Sequence, residues 1–515
     1  MKLRLGRIPA HYYIFFSSLA LFLFSLQRNF SAAHDSITYL NHITEGRNLF
    51  HPHHLLYNLL GRCWLLAGRL LLPGATDYIL IEMLSAVFGS ALLTTSFLFF
   101  RNRAKLSAGI SSIATAVVAF SYGVWSYSTN IEVYAPPVFF VLLVLYTVTN
   151  PVLSHRKLVH AAAYTTLAIL FHQVHVLLLL VMLFYLGRRF PREQHSSLLT
   201  RYFLPVILIT GVLYLFVAFR FEGVSNISEF LSWTTLYAHG HDYWRAPSIA
   251  TIVLGATGFI RSFFGGQFLF RLPFTPDSTS TVLRGHNLAD EQYLVRNLQE
   301  WQAVLLSLLM LVALLVMLKL VIQYFRHRGN RNNVLRPIQY TFIVYSCFFL
   351  FWMPENLEFW ILQSILFWIL LFSSNYSSAT KRDMVEVSVI AACLFIVNYG
   401  GSIFWLQEKT NDWYYSAVEP LIPTATGSDL VISKDPWIMN DYVHFYTDSR
   451  QPQYQGSRDL SIEIEKTLQG GKRVFVIDAP DSKSPYVFQT DSTLQSYSMR
   501  MKLFSPVKPQ IYLIR

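Results

Sequence analysis

Charge is what this sequence has least of. Only 14% of its 515 residues are Asp, Glu, Lys or Arg, against roughly 25% in an ordinary soluble domain. That shortage excludes a water-soluble enzyme of the usual composition. Cysteine is scarce too. Cys63, Cys347 and Cys393 are widely spaced, and two of them lie in apolar runs, so neither a disulfide framework nor a zinc-ligand spacing is present. A single basic surface for nucleic acid is also missing. The net charge is +11, but the Lys and Arg residues sit in short clusters between apolar runs. No internal repeat of the transporter kind is visible.

What the chain has in abundance is apolar length. Hydrophobic residues make up 53% of it, and runs near the ~20 residues that cross a bilayer recur. They lie at about 9–27, 78–100, 107–123, 135–150, 158–172, 173–187, 202–220, 301–324, 337–353, 357–374 and 384–405. The first follows Met1–Arg7 and has no small-residue cleavage site near Phe24 and Leu26, so it reads as a retained signal-anchor.

A further segment, 55–72, decides the topology. Cytoplasmic loops are enriched in Lys and Arg. If 55–72 does not cross, every basic cluster falls on the cytoplasmic side: Lys2/Arg4/Arg7, Arg101/Arg103/Lys105, Arg156/Lys157, Arg188–Arg201, Arg326–Arg336 and Lys381/Arg382. If it crosses, all but the first fall outside. Arg62 and Arg69 lie seven apart on one helical face, with Leu59, Trp64 and Leu66 placed to dip into the interface. The expectation is therefore a mainly α, polytopic membrane protein with about 11 transmembrane helices and interfacial helices in the first outer loop.

Four polar stretches then share the outer face: 28–77, 126–137, 221–300 and 353–358. After the last span, 406–515 turns polar. Asp429–Lys434 and Arg473–Asp478 read as strands, Asp435–Tyr446 and Leu460–Leu468 as helices, and Lys502–Arg515 as a stretch that ends in another strand, which suggests a small α/β domain outside. The expected domains are 1–405, transmembrane, and 406–515, soluble.

The outer stretches carry the candidate chemistry. Asp35 either caps a helix over Ser36–Arg47 or serves as a general base, since carboxylates near the membrane plane need a partner or a task. His51-Pro52-His53-His54 offers three readings: a metal site, contacts to lipid headgroups, or a hydrogen-bonding pocket for a phosphate. The third is preferred, because Pro52 spoils helical ligand spacing. Glu132 either favours the helix start at Pro136-Pro137 or acts beside Asp35 from the same side. His239-Gly240-His241-Asp242 reads as a solvated loop.

One combination carries a resemblance. Asp35-Ser36, then His51-Pro52 with Leu55-Leu56-Tyr57 and Gly61, Leu84-Ser85-Ala86, Trp125-Ser126 and Glu132-Val133-Tyr134-Ala135 follow one another in order. Over roughly residues 1–190 the chain resembles the bacterial relatives of animal protein O-mannosyltransferases, within the GT-C glycosyltransferase superfamily. The family pattern has D-S-G-E after the first span. Here Ile37 and Thr38 stand in place of its glycine and second acid, so a second charge falls to Glu132 or Glu45.

The resemblance implies a GT-C-like membrane glycosyltransferase that moves a sugar, mannose in the animal relatives, from a polyprenyl-phosphate donor to a hydroxyl of a protein or glycan. It implies Asp35 as the catalytic base and direct, inverting displacement. His51, His53, Arg261 and Arg271 are the candidates to steady the departing phosphate. No metal ligand is assigned, although a divalent cation, Mg or Mn, remains admissible. The partners expected are the bilayer, the lipid-linked donor and the acceptor, with no nucleic acid. The expected place is the bacterial inner membrane with a periplasmic site, or the ER membrane with a lumenal one in a eukaryote. Two other readings stay open: a flippase for a lipid-linked glycan, and a GT-C-like subunit without catalysis.

Overall fold

The computed structural model describes residues 9–31, 33–236, 243–273, 289–326, 335–376, 381–433, 438–451, 457–478, 499–502 and 510–514. Its helices begin with α1 (Ala10–Phe24), α2 (Asp35–Glu45), α3 (Tyr57–Leu71), α4 (Asp77–Leu98), α5 (Ala108–Phe120), α6 (Tyr122–Tyr127), α7 (Ala135–Val148), α8 (His155–Phe171) and α9 (Leu177–Arg189). Later helices are named by their bounds. Among the described residues, five helical segments are long and apolar enough to cross a membrane: Asp77–Arg103, Arg192–Phe221, Glu300–Arg326, Leu357–Asn375 and Arg382–Leu406. Ala10–Phe24, Ala108–Phe120, Ala135–Val148 and Ile249–Phe264 are shorter and apolar.

Local chemistry sets the boundaries. Pro136 and Pro137 occupy the first turn of α7, where a missing N–H costs nothing. Ser107 caps α5 by accepting from Ile110 N, and Ser154 caps α8 by accepting from Lys157 N. The expected hairpin at Phe171-His172-Gln173 is a break between α8 and α9, filled by a short 3-10 turn at Gln173–Val176. α3 packs on α4 through Trp64, whose Nε1 donates to Leu80 O at 2.7 Å, while Leu66, Leu70 and Leu71 stay exposed. Leu66 is thus exposed on the face expected at the interface, whereas Trp64, expected there too, turns towards α4 to satisfy its indole N–H.

The chain forms two compact units. The first contains 1–26, 46–266 and 304–400. Its connections sort into two sets by mutual contact. In one, Gln173 N donates to His53 O at 2.7 Å, Gln173 Nε2 to Thr234 O at 3.0 Å, and Arg245 pairs with Glu355 at 2.6 Å. In the other, the Arg103 guanidinium binds Tyr146 O, and Arg189 Nη2 binds Asn150 O at 2.7 Å. The second set includes Arg103 and Arg189, two of the basic residues expected on the cytoplasmic side. Close packing depends on small residues: a Cβ on Gly89 of α4 would lie 2.2 Å from Ser128 Oγ.

The second unit contains 27–45, 267–303 and 401–515. Its sheet has the order β1-β2-β4-β3, with β1 (Leu430–Ser433), β2 (Val474–Asp478), β3 (Met499–Lys502) and β4 (Gln510–Ile514). β1 and β2 pair in parallel, so the chain between them must cross over, and it does so through the Ile438–Tyr446 and Ser457–Gln469 helices. Leu430, Ile432, Val474, Val476 and Ile514 bury one face of the sheet around Ile464. Arg473 and Asp429 close the strand starts, Nη2 to Oδ2 at 2.6 Å.

Candidate functional site

Asp35 is the first residue of α2, so its negative charge sits in the turn where unpaired backbone N–H groups favour it. The helix differs from the expected Ser36–Arg47 at both ends. It starts one residue earlier, with Ser36 N donating to Ala33 O at 2.9 Å just ahead of it. It stops at Glu45 because Gly46 adopts φ +71°, a left-handed stop. Asp35 is therefore a first-turn residue and not a cap preceding the helix.

The Asp35 carboxyl is half-buried, and Tyr39 OH, one turn on, donates to its Oδ2 at 3.3 Å. Burial raises its pKa above the ordinary carboxylate value, His34 and the Tyr39 bond oppose that rise, and Asp441 adds to it. His34 is held by Asp290, Nε2 to Oδ2 at 3.1 Å, and its ring meets Tyr414 edge-on. The Ile438–Tyr446 helix lies along α2. Thr38 Oγ1 donates to Asp441 Oδ2, Asn41 Nδ2 donates to Asp441 O at 3.0 Å, and Glu45 pairs with His444.

The approach to α2 is fixed by a buried carboxylate. Asp412 accepts from Phe30 N at 2.9 Å, Tyr415 N at 2.9 Å and Tyr442 OH at 2.6 Å. Burial pushes its pKa up to about 6, against the pull of those donors. Arg28 N and Asn29 N both donate to Leu406 O, which ties the same stretch a second time.

The other candidates lie mostly in the first unit. The rings of His51 and His54 stack at 4.4 Å, and His51 and His53 are 5.5 Å apart. His53 falls to a pKa of about 3, chiefly through burial and then through His172 and His51. His54 is lowered in the same way. These imidazoles are neutral, so they serve as hydrogen-bond donors or acceptors and not as cations. His54 meets the buried Tyr57 edge-on at 6.3 Å. Burial raises the Tyr57 hydroxyl, and the charges of Glu132 and Glu82 raise it further. Tyr57 thus lies beside the histidine turn and feels the charge of Glu132. Glu358 accepts from Tyr127 OH at 3.2 Å, and Glu132 also acts on that hydroxyl.

Not every candidate gathers here. Glu45 lies at the opposite end of α2 from Asp35, about 15 Å along the axis at the usual helical rise. Arg261 turns back on its own helix end, Nε to Gly265 O at 3.2 Å. Arg271, in the second unit, donates from Nε to Leu298 O at 2.8 Å. His239-Gly240-His241-Asp242 lies outside the described residues. Among the described residues, no group of three or more His, Cys, Asp or Glu is placed to hold a metal ion.

Sequence reading missed Asp412, Asp441, Asp290 and His172 as site residues. Only Asp412 left a local signal, an acid directly before the apolar Trp413–Val418 helix that it caps.

Compared by sequence, the chain matches no family model and no curated protein. Solved structures do share its architecture. ArnT from Cupriavidus metallidurans in the apo state superposes with a TM-score of 0.52 at 12% identity, covering 98% of this chain and 97% of that one. ArnT bound to undecaprenyl phosphate gives a TM-score of 0.49, again at 12% identity, with the same coverage of 98% and 97%. The Archaeoglobus fulgidus oligosaccharyltransferase gives 0.47 at 12% identity, covering 90% of this chain and 68% of its own. Over nearly its whole length, the chain shares the fold of ArnT.

Proposed function

We propose that the protein is a membrane glycosyltransferase that moves a sugar from a polyprenyl-phosphate donor to a hydroxyl of a protein or glycan, with Asp35 as the general base. The observation that carries this reading is the seat of Asp35. It is half-buried in the first turn of α2 with its proton affinity raised, within a chain of GT-C fold. A base of that kind typically supplies about 10²–10⁴ in rate.

The acceptor O–H gives its proton to Asp35 as its oxygen bonds to the anomeric carbon. The bond from that carbon to the phosphate oxygen breaks, and polyprenyl phosphate leaves with the electron pair. One displacement inverts the centre and needs no glycosyl-enzyme. His51, His53 and the guanidinium groups of Arg261 and Arg271 are the candidates for hydrogen bonding to the departing phosphate. The donor class and mannose rest on the sequence resemblance. An outward-facing site rests on the basic clusters.

The test is a donor screen with the full-length protein in nanodiscs. Undecaprenyl-phosphate and dolichyl-phosphate mannose, galactose and arabinose would be offered with peptide and glycan acceptors. Transfer from any member supports the reading, and hydrolysis-free inactivity with all of them contradicts it.

A further inference from the structure

The candidate base has a carboxylate neighbour that comes from the far end of the chain. Asp35 and Thr38 are three residues apart, so they share a face of α2. Asp441, on the Ile438–Tyr446 helix, binds that face twice: its Oδ2 accepts from Thr38 Oγ1, and its backbone O accepts from Asn41 Nδ2 at 3.0 Å. Its Oδ1 also lies 3.3 Å from Asn41 Nδ2. These bonds fix a half-buried carboxylate on the side of α2 that carries Asp35. Glu45 does not do this, because it faces His444 at the other end of the helix.

We propose that Asp441 is the second carboxylate of the site, a positioning residue that holds negative charge against the face of α2 on which Asp35 lies. It rests on the reading of Asp35 as the base and deepens it. A second negative charge close by disfavours the ionised form of Asp35, which then holds a proton more readily. Asp441 thereby strengthens Asp35 as a proton acceptor without touching substrate. The groups that face Asp35 are His34 and Tyr39 beside it and Asp441 opposite, with Asp290 behind His34. Burial raises the proton affinity of Asp35 most, His34 and the Tyr39 bond oppose that rise, and Asp441 adds to it. The arrangement gives the C-terminal segment a part in the reaction that its polar composition alone does not announce.

The proposal is tested on the full-length protein by labelling Asp35 with a carbodiimide, which reacts with protonated carboxyls, across pH 4–9, and reading the adduct by mass spectrometry. Asp441→Asn should lower the labelling midpoint of Asp35 by roughly half to one pH unit, and Asp441→Glu should leave it near that of the wild type. If Asp441→Asn fails to fold, Asp441→Ser removes the charge but keeps an acceptor for Asn41, and it carries the same expectation. An unmoved midpoint in the folded variant overturns the proposal. The acid limb of transfer against pH should move down with the labelling midpoint, with the donor KM unchanged. A midpoint that shifts while the limb stays put overturns Asp35 as the base, and with it the part of Asp441 in the reaction.

Discussion

Asp412 accepts a hydrogen bond from the backbone N–H of Phe30 at 2.9 Å, across 382 residues of chain. The same carboxylate takes Tyr442 OH at 2.6 Å and caps the Trp413–Val418 helix through Tyr415 N. One buried side chain therefore fixes the irregular stretch leading to Asp35 and the start of the Trp413–Val418 helix. Replacing it with alanine strands two backbone N–H groups and a phenol. Asp412→Ala should cost about 1–3 kcal/mol of stability. The pH dependence follows from the raised pKa. The folded value is about 6 and the unfolded value about 3.9, so the stabilisation is full below about pH 4 and falls as pH rises through about 6. Thermal melts in detergent between pH 4 and pH 7.5 should show the largest gap between wild type and Asp412→Ala at the acid end. A gap that does not vary with pH would contradict this.

The Asp429–Arg473 pair has the opposite sign. Burial works to raise the Asp429 pKa, but the Arg473 guanidinium and the Thr426 and Arg473 donors outweigh it and hold the value at about 2. That is below the unfolded value of about 3.9, so the contribution is present above about pH 4 and disappears as pH falls through about 2. Arg473 is half exposed, which screens the pair. Asp429→Asn should melt below the wild type at pH 7, and the two should converge towards pH 2.5. A deficit that persists undiminished at pH 2.5 would show that the pair acts by shape and not by charge.

Gly89 tests the packing of α4. A Cβ there would lie 2.2 Å from Ser128 Oγ and 2.5 Å from its Cβ, distances that require one element to move. Gly89→Ala should cost about 1–3 kcal/mol by overpacking. Ser128→Gly added to it should restore most of the loss, since the two changes meet in one space. A neutral Gly89→Ala would mean that this segment is looser than its burial indicates.

The helices were the legible part of this chain. An apolar run announces a helix because the backbone must satisfy itself wherever water is excluded, and α4, α7 and the Glu300–Arg326 helix fall where such runs place them. Strands β1 and β2 were legible for a similar reason: Leu430–Ser433 and Val474–Asp478 are short, β-branched and bounded by polar turns. Asp35 could be picked out because a lone acid after a span is costly without a use. Asp441 and Asp290 could not. Each lies in a polar segment where an acid is unremarkable, and each acquires meaning only through a partner about 250 to 400 residues away. His172 was visible as the turn between α8 and α9, but nothing local showed that its charge would act on His53. The bounds of α2 were misplaced at both ends, because backbone geometry at Ala33 and Gly46 set them and not side-chain pattern.

The central claim is that Asp35 takes the acceptor's proton. The most direct measurement is the rate of sugar transfer by Asp35→Asn in nanodiscs, beside the wild type and under identical donor and acceptor. Asn keeps the size of the side chain and removes its basicity. Transfer should fall by about 10²–10⁴-fold, with the thermal melt and donor binding retained. Turnover within a few-fold of the wild type would remove Asp35 from the reaction.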